Sequence, residues 1–244
     1  MNINQIAIVI PFYNEVNRFN TIDFCEFAII NLHIDWYFIN DGSTDTTQIL
    51  LEKLQTSLPK INICIISFEE NKGKAEAVRN GLLTAYKYKY SHLGFIDGDL
   101  QIPLNQVVHL HEALKLETMS IALSTRNFEK DFKYFNFRSV ISYSLSLLNK
   151  KILNFNTQVI DSQCGCKLFC SNLVPILFER PFISRWLFDI EILLRLRDSK
   201  NFCEEQIKQI KLNKLNRSQD SNIRIFQNLN LISDLFKINS FYNR

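Results

Sequence analysis

Between Ile6 and Leu116, short β-rich runs alternate with longer stretches of helical periodicity, and no other feature of this 244-residue chain restricts its fold as sharply. Ile6 to Ile10 reads as a strand ended by Pro11, and a helix follows from about Val16 to Ile30 with Phe19, Ile22, Phe27 and Ile30 on its apolar side. Ile34 to Ile39 is a second strand. Thr44 to Leu58 is a helix with Ile49, Leu50, Leu54 and Leu58 on one side, stopped by Pro59. Ile61 to Ile66, Ala75 to Tyr88, Leu93 to Ile96 and Leu104 to Leu116 continue the rhythm. Strands separated by helices of this length imply an α/β domain with a mostly parallel central sheet and helices on both faces.

After Ser120 to Leu123, another strand, the pattern changes. Asp131 to Leu153 is long, aromatic and apolar and reads as a helix; Ser162 to Phe169 is extended, Trp186 to Leu196 an amphipathic helix, and Phe202 to Ile210 a strand. From Ile223 to Ile238, the residues Ile225, Leu229, Ile232, Leu235 and Phe236 follow helical spacing, the first four on one face. Without a linker rich in Pro, Gly or Ser, one domain over residues 1–222 is expected, followed by an amphipathic C-terminal helix over 223–244. That helix either completes the core or lies at a membrane interface.

The functional signal lies at the ends of the predicted strands. Asn40-Asp41-Gly42-Ser43 follows the second strand, Asp97-Gly98-Asp99 follows the fourth, and Asn71-Lys72-Gly73-Lys74 lies between them. In an open α/β sheet, groups just past the carboxyl ends of the strands converge on one crevice. Two carboxylates there, one small residue apart, suit a divalent cation whose other positions are filled by phosphate oxygens. Either Asp-Gly pair alone reads more simply as a turn. Together with the lysine-glycine turn they point to a nucleotide-diphosphate site.

Composition narrows the partners. A net charge of +3 with no long Lys/Arg run offers no footprint for nucleic acid. No apolar stretch reaches the roughly 20 residues that span a bilayer, and the chain enters its first strand without a basic leader. A cytoplasmic protein that touches a membrane face peripherally is therefore expected. Cys164, Cys166 and Cys170 lack the paired spacing of a zinc knuckle, so free thiols are expected.

Four segments in order, Pro11 to Glu15, Asn40 to Thr47, Asn71 to Ala75 and Asp97 to Gln101, resemble family 2 glycosyltransferases in type and spacing. Asp161 to Phe169 and Arg185 to Glu191 are similar to the branch that makes polyprenyl-phosphate sugars, above all dolichyl-phosphate β-glucosyltransferases. The resemblance implies a GT-A-like, Rossmann-like domain. It implies a Mg²⁺ or Mn²⁺ ion on Asp97, Asp99 and Gln101, acting as a Lewis acid on the departing diphosphate. Pro11, Tyr13, Glu15 and Asp41 would form the nucleotide-sugar pocket with Lys72, Gly73 and Asp97, and Arg126 would join the catalytic set. Arg138 and Ser142 would hold the phosphate of a polyprenyl (dolichyl or undecaprenyl) acceptor. Gly98 replaces the alanine more usual in the family, a change expected to loosen the loop. Asp220-Ser221-Asn222 stands where a Gly-Ser-Lys element is usual, which leaves the last phosphate-binding cation to Arg217 or Arg224.

The implied reaction is inverting transfer of a hexose, glucose from UDP-glucose, to a lipid phosphate. An alternative is a hydroxyl acceptor on a polysaccharide or small molecule; it would need a general base, for which Asp189 and Glu191 are the candidates. A different class is an inactive nucleotide-binding scaffold.

Overall fold

The computed structural model describes residues 6–116, 118–126, 161–199, 202–213, 215 and 227–243. Seven strands form one sheet in the order β3-β2-β1-β4-β6-β5-β7. They are β1 (Ile6–Phe12), β2 (Ile34–Asn40), β3 (Ile63–Ser67), β4 (His92–Ile96), β5 (Ile121–Thr125), β6 (Cys166–Cys170) and β7 (Ile207–Lys211). All neighbours run parallel except β6, which is antiparallel to both β4 and β5. The helices are α1 (Thr21–Ile30), α2 (Thr47–Ser57), α3 (Lys74–Tyr86), α4 (Asn105–Leu114), α5 (Leu173–Phe178), α6 (Phe188–Arg197) and α7 (Gln227–Tyr242). The expected α/β architecture is therefore the observed one.

Strand periodicity divides the core into two layers. In β1, Ala7 and Val9 face a layer built with α3, α5, α6 and α7. Ile6, Ile8, Ile10 and Phe12 face the opposite layer, built with α1, α2 and α4. In the second layer Phe12 meets Phe19 edge-on, with ring centroids 5.0 Å apart, and Phe38 at 5.2 Å. Such pairs contribute about 0.5–1.5 kcal/mol each beyond area burial. They seat the loop that follows β1 against the sheet.

Several boundaries differ from the sequence reading for identifiable reasons. β1 runs through Pro11 to Phe12 because its ladder to β4 ends at Val9, so the missing amide of Pro11 costs no bond, while pairing to β2 continues. Residues 16–20 are not helical: α1 begins only after Asn20, whose side chain caps it by accepting from the Asp23 amide at 3.2 Å. Its buried residues are Phe24 and Ala28, whereas Ile22 and Ile30 are 67% and 80% exposed. In α2 the buried residues are Thr47, Leu51 and Leu54, and Ile49 faces solvent. α5 was not foreseen, being a single short apolar run with Pro175 inside it. The helix expected from Asp131 to Leu153 lies outside the described residues, as do Arg138, Ser142, Arg217, Asp220, Ser221, Asn222 and Arg224.

In the C-terminal helix the core-facing residues are Leu235 and Ile238. Phe236 and Phe241 are 72% and 53% exposed instead. The expected face is thus seated on the core at Leu235, whereas Phe236, expected in the same apolar pattern, faces solvent with Phe241. Among the described residues no helix is long and apolar enough to cross a membrane.

Candidate active site

The loops after β1, β2 and β4 and the loop before β6 meet at one end of the sheet. After β1 the chain turns at Asn14, which takes φ 54°. Asn14 Oδ1 accepts from the Thr44 amide at 2.8 Å, and the Glu15 amide donates to Thr47 Oγ1 at 3.0 Å, so the loops after β1 and β2 are tied to each other. Tyr13 remains 46% exposed at the surface of this corner.

Asp41, just beyond β2, is buried. Its carboxylate accepts from the Lys72 amide at 2.7 Å, the Gly73 amide at 2.9 Å and Asn71 Nδ2 at 3.0 Å. Burial pushes the Asp41 pKa up, and the two amide hydrogen bonds oppose that shift. The 71–73 turn is thereby moulded around Asp41, with Gly73 at φ 95° as the expected sharp turn requires. On its far side Arg185 grips the same turn, donating to Asn71 O at 2.8 Å, Asn71 Oδ1 at 2.6 Å and Lys72 O at 3.1 Å.

The acidic pair follows β4 directly. The Asp97 amide donates to Gly165 O at 3.0 Å. Lys74 Nζ lies 2.6 Å from Asp97 Oδ1 as an ion pair, so this chain's own ammonium engages that buried oxygen. Asp99 Oδ2 accepts from Arg18 at 3.0 Å and from Gln101 Nε2 at 2.8 Å, while its Oδ1 accepts from the Gln101 amide at 3.2 Å. Arg18 also reaches Glu15 Oε1 at 3.0 Å, and Glu15 Oε2 is buried without a partner. Burial raises the Glu15 pKa to about 7 against the opposing pull of Arg18, with Asp99 and Asp97 adding to the rise. Burial, followed by the neighbouring Asp97, likewise raises Asp99.

Gly98 does not loosen this loop. A Cβ at position 98 would come within 2.7 Å of Pro11 O, so the loop packs against the end of β1 more closely than alanine allows. Leu100, at φ 47°, completes the tight turn between Asp99 and Gln101.

The remaining expected residues sort clearly. Arg126, after β5, forms a two-pronged pair with Asp161 at 2.7 and 2.9 Å, and its amide donates to the same carboxylate at 3.1 Å. Burial alone would raise the Asp161 pKa, but the Arg126 hydrogen bonds and charge bring it below the usual carboxylate range. Asp189 is buried at the start of α6 and accepts from Lys167 Nζ at 2.5 Å; Lys167, itself 1% exposed, also donates to Cys164 O at 2.7 Å. Glu191 is 0% exposed and accepts from the Ile183 and Ser184 amides at 2.9 and 3.0 Å. It holds the turn that carries Arg185. Lys72, expected near the nucleotide, directs its ammonium over the Phe68 ring, 5.1 Å from the centroid. The lysine that reaches the acidic pair is Lys74, because α3 begins there. Burial pushes the Cys166 thiol up to about 12 and the Cys164 thiol higher still, so neither is a ready nucleophile.

Sequence reasoning missed Arg18, Lys74 and Gly165 as members of this cluster. The signal for Arg18 was its position one turn after Glu15. Lys74 stood in a recognised segment from which only its neighbour was chosen. Gly165 also stood in a recognised segment, but its role comes from a contact with Asp97 on the neighbouring strand end that no local pattern reveals.

Comparison with known proteins agrees with this geometry. The profile of glycosyl transferase family 2 matches residues 7–172. A dolichyl-phosphate beta-glucosyltransferase of Saccharomyces cerevisiae is 33% identical over 78% of this chain, and one of Dictyostelium discoideum is 27% identical over 77%. The chain spans 61% of the length of each of these relatives. Glucosyl-3-phosphoglycerate synthase of Mycobacterium tuberculosis, crystallised with Mn²⁺, uridine diphosphate and phosphoglyceric acid, superposes with a TM-score of 0.68 at 16% identity, covering 97% of this chain and 78% of that one. With the acidic pair, the lysine-glycine turn and the strand order in place, this chain belongs to the family 2 glycosyltransferases.

Proposed function

We propose that this protein is an inverting hexosyltransferase that moves glucose from UDP-glucose to a polyprenyl phosphate, working peripherally at a membrane surface. The observation that carries the reading is the Asp97–Asp99 pair at the end of β4, enclosed by the loops on Asp41, Glu15 and Gly165. The names of the curated relatives support the choice of sugar and acceptor.

The residues present fit a divalent ion. Asp97 Oδ1 is a buried carboxylate oxygen engaged by the Lys74 ion pair, and the Gly165 backbone packs directly against the carboxylate and fixes its position. Among the described residues no group of three His, Cys, Asp or Glu side chains is arranged to hold a metal ion by itself, so Asp97 and Asp99 would share the ion with Gln101 and with donor phosphate oxygens. When bound, Mg²⁺ or Mn²⁺ supplies neutralising charge to the departing diphosphate. The chain's own part is to orient the donor. Pro11, Tyr13 and Glu15 would border the nucleoside, and Asp41 would act on it through the 71–73 turn it shapes, together with Lys72 and Gly73. Arg126 would present a positive edge on the acceptor side while Asp161 fixes its plane.

A lipid phosphate is already an anion and needs no base. The site favours such an acceptor over a hydroxyl, because both base candidates are committed: Asp189 to Lys167, and Glu191 to two backbone amides. Attack by the phosphate oxygen opposite the leaving diphosphate inverts the anomeric carbon. The exposed Ile183, Phe236 and Phe241 provide an apolar surface for membrane contact.

A panel test decides the reading. The protein is incubated with UDP- and GDP-sugars, Mg²⁺ or Mn²⁺, and either dolichyl or undecaprenyl phosphate or hydroxyl acceptors, and products are identified by mass. Glucosyl lipid from UDP-glucose is the expected product. Glycosylated hydroxyl acceptors with inert lipid phosphate would assign the alternative acceptor class, and no transfer from any donor would leave a nucleotide-binding scaffold.

A further inference from the structure

Each carboxylate of the acidic pair carries a cation supplied by this chain. Lys74 Nζ sits 2.6 Å from Asp97 Oδ1, and an Arg18 nitrogen sits 3.0 Å from Asp99 Oδ2. The two cations come from different segments, Arg18 from the turn after β1 and Lys74 from the first turn of α3. Both have a second anchor. Arg18 is held by Glu15 at 3.0 Å, and Lys74 lies over the Phe188 ring, 5.8 Å from its centroid, within the field of Asp189. Neither anchor needs the acidic pair: Glu15 would keep Arg18, and Asp189 has Lys167 for its own charge.

We infer that Lys74 and Arg18 are built-in counter-cations of Asp97 and Asp99, which a divalent ion must displace, and that the displaced Lys74 then turns to the diphosphate of the donor. The inference rests on the proposed nucleotide-sugar reaction for its second half only. Two carboxylates one residue apart at the end of a strand repel each other and lose solvation when the loops cover them. The two cations offset that cost while the site is empty of donor. A divalent ion takes over the same role with more charge, and a lysine released beside it faces the most anionic part of the donor. Metal and donor binding become coupled: the ion binds weakly until diphosphate oxygens both complete its coordination and accept the freed ammonium.

The test measures Mn²⁺ binding to the purified protein by electron paramagnetic resonance of the free ion, with and without UDP-glucose. Without donor, Lys74→Met and Arg18→Met should each bind Mn²⁺ more tightly, by about threefold to tenfold, because a partly exposed competing ion pair has been removed. With Mn²⁺ saturating, Lys74→Met should bind UDP-glucose about tenfold more weakly, whereas Arg18→Met should change donor affinity much less. Lys74→Arg retains a cation at Asp97 and should keep the weak Mn²⁺ affinity of the unaltered protein. Thermal unfolding of each variant separates loss of fold from loss of coupling, and the two methionine variants probe the two carboxylates independently. Unchanged or weaker Mn²⁺ binding in both methionine variants, with the fold intact, would overturn the inference. A protein that transfers no sugar in the panel but shows tighter Mn²⁺ binding in these variants would retain the counter-cation role and lose only the proposed reaction.

Discussion

Gly165 and Asp97 approach so closely that a Cβ on residue 165 would lie 2.1 Å from Asp97 Oδ2. The contact is held from behind, since the Asp97 amide donates to Gly165 O at 3.0 Å and β6 pairs with β4 immediately beyond it. Gly165→Ala must therefore push the Asp97 carboxylate away. Overpacking of this kind costs about 1–3 kcal/mol of stability, and a shift of the order of 1 Å at a reacting centre costs about a hundredfold in rate. Steady-state turnover and thermal unfolding of Gly165→Ala should show a rate loss far larger than its modest stability loss. Turnover equal to that of the unaltered protein would mean that Asp97 does not need its observed position.

Arg185 is a brace. It touches the 71–73 turn from α6's side while Asp41 holds the same turn from β2. Removing it in Arg185→Ala should loosen the turn without touching Asp97 or Asp99. KM for the nucleotide sugar should rise about tenfold, with kcat reduced much less, and KM for the acceptor should stay near its original value. An effect confined to kcat would place Arg185 on the reacting groups.

Far from these loops, at the opposite end of β4, three histidines meet. His111 lies 5.2 Å from His92 and 6.1 Å from His33, ring centroid to centroid. Burial, reinforced by the charges of His92, Lys115 and His33, lowers the His111 pKa to about 4 from an ordinary value of 6.5. The folded protein holds His111 neutral where the unfolded chain would protonate it, so its contribution is complete above pH 6.5 and is lost as the pH falls from there toward 4. About 2–3 kcal/mol of stability should disappear over that window. Chemical denaturation across this range should show a clearly shallower acid slope for His111→Gln; an unchanged slope would assign acid sensitivity to other groups.

Phe236 and Phe241 project from α7 while Leu235 and Ile238 bind it to the core. Substituting both exposed aromatics by serine should lower sedimentation with anionic liposomes severalfold while leaving the midpoint of thermal unfolding within a few degrees. Undiminished vesicle binding would remove this surface from membrane contact.

The strands and their order of appearance were legible because short, continuous apolar runs, buried on both faces as in a parallel sheet, alternate with longer helical stretches, and the acidic pair was legible because it abuts one of them. What the sequence concealed depends on contacts between distant segments. Ile22 and Ile30 looked like core, but the packing of Phe24 against Trp36 and Phe38 rotates α1 and turns them outward. Glu191 and Asp189 looked equivalent as bases two residues apart on a helix. Only the fold shows that one accepts from a turn that carries Arg185 and the other from a buried lysine of β6. Lys74 was hidden for a related reason: which of two lysines reaches the acidic pair is decided by where α3 starts.

The decisive measurement is formation of glucosyl lipid from UDP-glucose and dolichyl phosphate, with Mn²⁺, by the unaltered protein and by Asp97→Asn and Asp99→Asn. The unaltered protein should make a β-linked product, by inversion of the α-linked donor. Each variant should fold normally and lose at least about a hundredfold in rate, since stabilisation of the leaving diphosphate is worth several kcal/mol. Turnover by both variants within a few-fold of the original would contradict the assignment of Asp97 and Asp99 to the reaction.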